Sequence, residues 1–317
     1  MKNSSDTKQE PILQVNNFIM NFGNKRVIDD LSFDVKRGEI FGLLGSNGSG
    51  KTTTIRALLG LYIPTGGKLL IDGKAFSPSR QTVSLGYLPE ERGLYKKEPV
   101  IDVMTYFGQL KGLSRSKARA WSLDYLERVG LADKAKSKID RLSGGQQQKV
   151  QLGVTIMNQP ELLILDEPTK GFDPVNRRLL MDIIDEQHKN GATVVMVTHQ
   201  MEEVEKLCSR AVLLKDGKAE AYGTIDQIKD DFGGIRINLR YNGQLPKRPQ
   251  LYNITKQSTS YAELEPNAEV DPQRILRELV GTSNLDISTF DVQRPSLDEI
   301  FVTIYGRSAA EEEIKNV

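Results

Sequence analysis

The run Gly45-Ser46-Asn47-Gly48-Ser49-Gly50-Lys51-Thr52 has the spacing G-x-x-x-x-G-K-[ST]. The chemistry of that spacing is anion capture. Glycines let the backbone curl until successive N–H groups converge on phosphate oxygens. A helix that begins where the run ends adds the positive end of its dipole to the same anion. Lys51 is long enough to reach outer phosphates, Thr52 brings a hydroxyl suited to Mg2+, and Thr53 follows directly. The competing reading is a glycine-rich turn that happens to precede Lys-Thr. Context separates the two: the apolar run Ile40 to Leu44 reads as a strand before the loop, and Thr52 to Leu61 reads as a helix after it.

A second group is the adjacent pair Asp166-Glu167, at the end of the apolar run Leu162-Leu163-Ile164-Leu165. A buried strand delivers its last residues to the carboxyl edge of a sheet, where α/β folds bind ligands. Asp166 would hold Mg2+ through water, and Glu167 would face an attacking water as base or orienting group. Alone, such a pair reads as well as a solvated strand end. His199 follows another apolar run, Thr193 to Val197, and so is expected at the same edge. A single histidine after a strand is usually an ordinary surface residue. His188, inside a polar helical stretch, is read as such a residue.

The elements that must position these groups alternate. Strands are predicted at Ile12 to Phe18 and Leu31 to Val35, with Gly23-Asn24 as a turn between them. Residues 100–130 read as helical, with Trp121, Leu123 and Leu126 at helical spacing and Gly130 as a stop. Helices are predicted over 145–158 and 175–189, and a hairpin at Ala211 to Lys215 and Lys218 to Tyr222 around Asp216-Gly217. Strands alternating with helices imply a largely parallel sheet. After Gly223 the pattern changes. Thr224 to Gln227 reads as a capping box. Ile235, Ile237, Leu239 and Tyr241 alternate with polar residues as in a half-buried strand. A polar, proline-bearing stretch covers 242–260; Pro272 to Val280 reads as a helix and Leu285 to Val292 as a strand. Ser296 to Glu299 is a second capping box, opening a helix with Leu297, Ile300, Phe301 and Ile304 on one face.

Bulk properties bound the partners. The chain has 317 residues, 43 Lys+Arg against 42 Asp+Glu, and a formal net charge of +1, which makes no electrostatic case for nucleic acid. The single cysteine, Cys208, cannot form an intrachain disulfide, which fits a reducing compartment. No apolar run approaches the roughly 20 residues that span a bilayer. The polar first ten residues lack the apolar core of a signal peptide. The chain is therefore expected in the cytosol, or held to a membrane by a partner, and not as a pore by itself.

Leu142-Ser143-Gly144-Gly145-Gln146 lies just upstream of the Asp166-Glu167 strand. Physically it resembles a second anion site, a serine hydroxyl and glycine N–H groups at a helix start. It is similar to the signature motif of ABC ATPases. In that family this turn faces the γ-phosphate held by a partner subunit, which implies two ATP molecules between two such domains. Other elements resemble the family in order. Phe22 resembles the aromatic that stacks on adenine, although a core or surface role is equally open from the residues alone. Pro168-Thr169-Lys170-Gly171-Phe172-Asp173-Pro174 resembles the D-loop, with Asp173 at the dimer seam, and His199 matches the switch histidine.

The resemblance implies a P-loop NTPase of the ABC cassette type: an α/β fold with a mixed sheet core and a helical signature subdomain, joined to a small C-terminal α+β accessory domain. The expected boundaries are a flexible tail at 1–11, the ATP-binding domain at 12–223 with the helical subdomain at about 90–158, the accessory domain at 224–306 and a loose tail at 307–317. The implied catalytic residues are Glu167, His199 and Lys51. Nucleotide would contact Phe22, Gly45, Ser46, Asn47, Gly48, Ser49, Gly50, Lys51, Thr52, Thr53, Ser143, Gly144, Gly145, Gln146 and Asp173. Thr52, Asp166 and Glu90 would hold Mg2+. Glu90 stands where most members carry a glutamine, and it adds negative charge beside the phosphates. Lys170 and Phe172 also depart from the commonest D-loop pattern, and Lys170 is expected to alter dimer contacts.

Glu90 to Tyr95, Gln146 to Gln151, and Pro295 to Phe301 resemble bacterial exporter ATPases of the NatA type. This implies an ATPase on the cytoplasmic face of the cell membrane. Its partners would be integral membrane permease subunits and a second copy of itself or a paralogue, with no nucleic acid. Two alternatives remain: an ABC-type switch acting on ribosomes or DNA, and a regulatory ATP binder with weak hydrolysis. Against the first, the chain has one phosphate loop, and only residues 53–141 separate it from the signature, with no sustained heptads. Glu90 is the sole motive for the second.

Overall fold

The computed structural model describes residues 10–75, 82–232, 234–267 and 270–315; the first nine residues of the expected N-terminal tail lie outside these. The chain divides into two compact units, one ending at Thr224 and one beginning at Ile225.

Three strands of the first unit are apolar apart from terminal Asp166, Thr193 and Thr198: β3 (Ile40–Gly45), β6 (Leu162–Asp166) and β7 (Thr193–Thr198). Every residue in them is buried. A strand covered on both faces needs no polar alternation, and this is the pattern of a parallel sheet under helices. They form the centre of a six-stranded sheet with β5 (Leu85–Leu88), β8 (Arg210–Lys215) and β9 (Lys218–Thr224), in the order β5-β6-β7-β3-β8-β9. The pairs from β5 to β8 are parallel, and β9 runs antiparallel to β8.

The sheet is mixed, and it is not alone. β1 (Leu13–Phe22), β2 (Lys25–Val35) and β4 (Gly66–Ile71) form a separate antiparallel sheet in the order β2-β1-β4. The larger sheet is largely parallel and the core as a whole is mixed, as expected; the separate antiparallel sheet is what the alternation of strands and helices did not indicate. One apolar core joins the two sheets. Phe18, Ile28 and Leu31 share it with Phe41, Leu43, Val195 and the α1 residues Ile55 and Leu58, where α1 is Lys51–Leu58. Phe33 and Phe41 stack across the gap with ring centroids 5.5 Å apart.

Beside the sheets lie three helices, α2 (Val100–Leu110), α3 (Arg115–Arg128) and α4 (Gly144–Ile156). The stretch 100–130 folds as two helices. Gly112 turns the chain and Ser114 caps α3 by accepting from the Lys117 N–H. The buried stripe of α3 is Ala118, Ser122, Tyr125 and Leu126, whereas Leu123 is exposed. Trp121 stacks on Tyr125 instead of facing the core by itself. Gly130 closes α3: its N–H reaches the Glu127 carbonyl while the Leu131 N–H reaches Leu126, the paired bonds of a Schellman stop. α5 (Pro174–Lys189) and the short α6 (Met201–Leu207) complete the unit.

The Asp216-Gly217 turn joins β8 to β9 with both residues left-handed, φ 49 and 77. It also braces the phosphate loop. The Gly217 N–H donates to the Ser49 carbonyl, and its own carbonyl accepts from the Asp29 N–H.

In the second unit β10 (Arg236–Gly243), β11 (Tyr252–Gln257), β12 (Tyr261–Pro266) and β13 (Leu285–Gln293) form an antiparallel sheet in the order β11-β12-β10-β13. Ile237, Leu239 and Tyr241 point to its core face, where α8 (Pro272–Val280) adds Ile275 and Leu279. α7 (Ile225–Phe232) precedes the sheet. The Ser296 capping box forms, with reciprocal bonds between Ser296 and Glu299. It opens α9, which runs Leu297–Lys315. Helix therefore continues where a loose tail was expected from 307. The sequence Ala309-Ala310-Glu311-Glu312-Glu313 is made of strong helix formers.

A Cβ on Gly217 would stand 2.2 Å from the Val27 carbonyl oxygen, and its φ is unfavourable for any other residue. Gly217→Ala should lower unfolding free energy by about 1–3 kcal/mol, measured by urea denaturation. An unchanged midpoint would show that the turn does not brace the loop.

Candidate functional site

The loop between β3 and α1 is tightly wound. Gly48 and Gly50 hold φ of 83 and 107. A Cβ on Gly45 would lie 2.4 Å from Ser49 Oγ, and one on Gly50 would lie 2.3 Å from Ile28 Cδ1. The spacing of the glycines thus meets two separate needs, left-handed backbone and close approach. Lys51 is buried and folds back over the loop. Its Nζ donates to the carbonyls of Gly45 at 2.8 Å and Ser46 at 2.9 Å. Burial lowers the Lys51 pKa, and the charges of Glu167, Asp166 and Glu90 oppose that shift.

Glu167 directly follows β6, with φ 49, a left-handed conformation that costs a non-glycine residue about 1–3 kcal/mol. Three contacts hold it. Its N–H donates to the Val197 carbonyl on β7, and its carboxylate meets His199 Nδ1 at 2.6 Å and the Thr198 hydroxyl at 3.3 Å. The Glu167 side chain is 5% exposed and that of His199 46%. The histidine therefore links a buried carboxylate to solvent.

Asp166 is 1% exposed, and its Oδ2 has no hydrogen-bond partner. Burial, then the charges of Glu90 and Glu167, push its pKa up to about 6. An orphaned, crowded carboxylate is what a cation would satisfy. Among the described residues no cluster of three or more His, Cys, Asp or Glu could hold a metal. The orphaned Asp166 carboxylate fits Mg2+, which is held by one or two carboxylates together with water and phosphate oxygens.

A cleft of about 380 Å³ gathers these groups. Asn47, Gly48, Gly50, Lys51, Thr52, Thr53, Glu90, Asp166 and Glu167 line it, together with Lys25 and Val27 of β2, which no motif marked. A second cleft of about 470 Å³ also contains Thr52, Glu90 and Asp166, with Arg56, Tyr62 and Tyr87. Phe22 lines neither. It is half exposed at the end of β1, edge-on to Tyr62 with centroids 5.3 Å apart. Ser46 and Ser49 belong to the loop without lining the cleft.

Ser143, Gly144, Gly145 and Gln146 also line neither cleft. They form the start of α4. Ser143 Oγ accepts from the Gln146 N–H, and Gln146 Oε1 accepts from the Ser143 N–H. The hydroxyl proton of Ser143 is not used by that cap. The Arg92 guanidinium covers Gly144, and the Phe172 ring covers Gly145. Asp173 caps α5 by accepting from the N–H groups of Val175 and Asn176, the second of which chiefly lowers its pKa. Two further contacts escaped the sequence. Lys170 donates to Glu90 at 2.6 Å, and Thr169 donates to the buried Glu203 at 2.6 Å.

Since its folded pKa is raised, ionised Asp166 works against folding. That penalty is complete above about pH 6, shrinks between there and the ordinary 3.8, and is absent below. Asp166→Asn should therefore stabilise the nucleotide-free chain by about 1–3 kcal/mol at pH 7 and by almost nothing near pH 4. Thermal melting at the two values checks this. A gain independent of pH would remove the charge as its cause.

Residues 28–170 match the family described as ABC transporter, and residues 223–305 match that described as ATP-binding protein DrrA1-3-like, C-terminal domain. An uncharacterized ABC transporter ATP-binding protein of Bacillus subtilis is 36% identical over 93% of this chain and 99% of its own. The linearmycin resistance ATP-binding protein of the same organism is 30% identical over 94% and 99%. A Nod factor export ATP-binding protein I of Bradyrhizobium diazoefficiens is 34% identical over 90% and 94%. Among solved structures, an ATP-binding subunit of an ABC transporter superposes with TM-score 0.65 at 30% identity, covering 70% of this chain and 93% of that one.

Proposed function

The chain belongs to the ATP-binding subunits of ABC transporters, which hydrolyse ATP to power transport, and on that premise we propose how its residues divide the work of an exporter. The observation that carries the proposal is the Glu167 carboxylate, buried beside the phosphate loop and gripped on both oxygens by residues that follow β7 or end it. A carboxylate so held cannot turn away from a water that approaches the phosphates. It is the general base or orienting group for that water.

Backbone N–H groups from Gly45 to Thr53 and the Lys51 ammonium bind the phosphates, with Ser46, Asn47 and Ser49 shaping the loop. To do so Lys51 leaves the two carbonyls it now contacts, exchanging neutral acceptors for charged ones. Magnesium, held by Thr52, Asp166 and Glu90, would neutralise phosphate charge. His199 gives Nδ1 to Glu167, so its outward Nε2 can donate to a phosphate oxygen only when the ring is protonated. Phe22 offers a ring face to the base.

The Ser143 turn, with Gly144, Gly145 and Gln146, serves the nucleotide of a second cassette, and Asp173 lies at the same seam. That cassette is another copy of this chain or a paralogue. Contacts made only when both cassettes close are differential contacts, and these are what let a ligand drive a conformational change. Separate permease subunits receive the motion, on the face that carries Glu90 and α2. In support, Tyr95, Tyr106 and Leu110 are exposed there, and Tyr95, Tyr106 and Phe107 form a cluster of rings about 6 Å apart. No helix among the described residues is long and apolar enough to cross a membrane, so the pathway belongs to those partners. The subunit then acts at the cytoplasmic face of the membrane. Export is the direction named for the Nod factor relative.

In the assembled complex Glu167→Gln should keep ATP binding and hold cassettes paired while turnover falls by roughly 10²–10⁴. Steady-state hydrolysis and nucleotide retention measure the two effects. Near-normal turnover would take Glu167 out of that role.

A further inference from the structure

Three carboxylates, Glu90, Asp166 and Glu167, line a cleft suited to a polyphosphate. Asp166 and Glu167 are buried and fixed by the strand that delivers them. Glu90 is different. It lies on the loop after β5, half exposed, and it is the carboxylate whose charge has its own cation. Lys170 Nζ donates to Glu90 Oε1 at 2.6 Å, across eighty residues of sequence. The contact in turn keeps Lys170 firmly protonated.

Both backbones behind this pair are anchored. Gln151 of α4 donates its side-chain amide to the carbonyls of Pro89 and Glu91, one on each side of Glu90. On the other side the Lys170 N–H donates to the Glu167 carbonyl. Thr169 is fixed to the buried Glu203, and Asp173 caps α5. Two held backbones bring two long side chains together, so the pair does not rely on chance contact between mobile surface residues.

We propose that Lys170 is a positioning residue for Glu90, cancelling its charge and holding its carboxylate at the cleft wall, so that an acidic side chain is compatible there with bound nucleoside triphosphate. Uncompensated, a third negative charge would repel phosphates in a partly desolvated cleft, where charges are felt more strongly than in bulk water. Paired with an ammonium, it presents an oxygen ligand without that repulsion. The inference rests on the ATP reading of this cleft. It adds a specific dependence: this acid requires that base.

The test is a double-mutant cycle on the full chain, read as the dissociation constant for ATP with and without Mg2+ by displacement of a fluorescent nucleotide. Lys170→Met should weaken ATP binding about fivefold to tenfold while Glu90 is present. In a Glu90→Gln background, where there is no charge to cancel, the same change should alter affinity less than about twofold. Lys170→Arg should restore binding, and about 0.5 M salt should shrink the Lys170→Met defect by screening. Equal losses in both backgrounds, or no loss with Glu90 present, overturn the proposal while leaving ATP binding in place. Failure of the unmodified chain to bind ATP would overturn the nucleotide reading itself, and this inference with it.

Discussion

Two adjacent carboxylates are buried at the end of β6, and Lys51 is the buried cation whose charge bears on both. That is an unfavourable arrangement in an empty fold. Asp166 responds with a raised pKa, and Lys51 turns to neutral carbonyls. Glu167 is kept in place by a backbone bond to β7 and by His199. The fully buried parallel strands exist, in this sense, to hold two acids where water would otherwise have dispersed them. On the proposed reading, the opposite charge that this pair lacks would come from the cation that accompanies the nucleotide. The site is therefore complementary to its ligand rather than to itself, and that tension underlies the roles assigned to its residues.

Much of the fold was legible because its signals are local. The phosphate loop, the apolar strands around it, the Asp216-Gly217 hairpin and the second capping box each depend on a few neighbouring residues. What escaped notice depends on distant partners or on weak burial. β5 is only four residues long, and β11 is an edge strand with a single buried residue, Tyr252. β4 and β12 each bury two residues. Such strands are specified by the strand beside them. Leu123 has the spacing of a core residue, yet Tyr125 occupies the space at that interface, against Gly153 of α4. The Gly23-Asn24 turn marked β1 and β2 as neighbours, but their pairing with β4 in a separate sheet depends on a distant strand and could not be read locally.

The site follows the same division. Residue types and spacing within the loop could be read directly, because a phosphate cradle is built from consecutive residues. Encounters between loops could not. The Glu90 and Lys170 contact joins two positions that each looked like an isolated departure from a familiar pattern. Lys25 and Val27 line the cleft only because the hairpin of β1 and β2 folds over the phosphate loop, as the contact between Gly50 and Ile28 records. Thr198 reached Glu167 through the register of β6 against β7.

The reciprocal bonds between Ser143 and Gln146 have a kinetic meaning. They keep the start of α4 wound in the single chain, so that under the proposed pairing no loop would have to be ordered at the moment of encounter. The entropy of shaping that surface is spent once, during folding, and not again in every cycle. On the proposed reading, a face prepared in this way would engage and let go repeatedly with little internal friction. The slow step of a working cycle is then free to lie in the chemistry or in the motion of the partners.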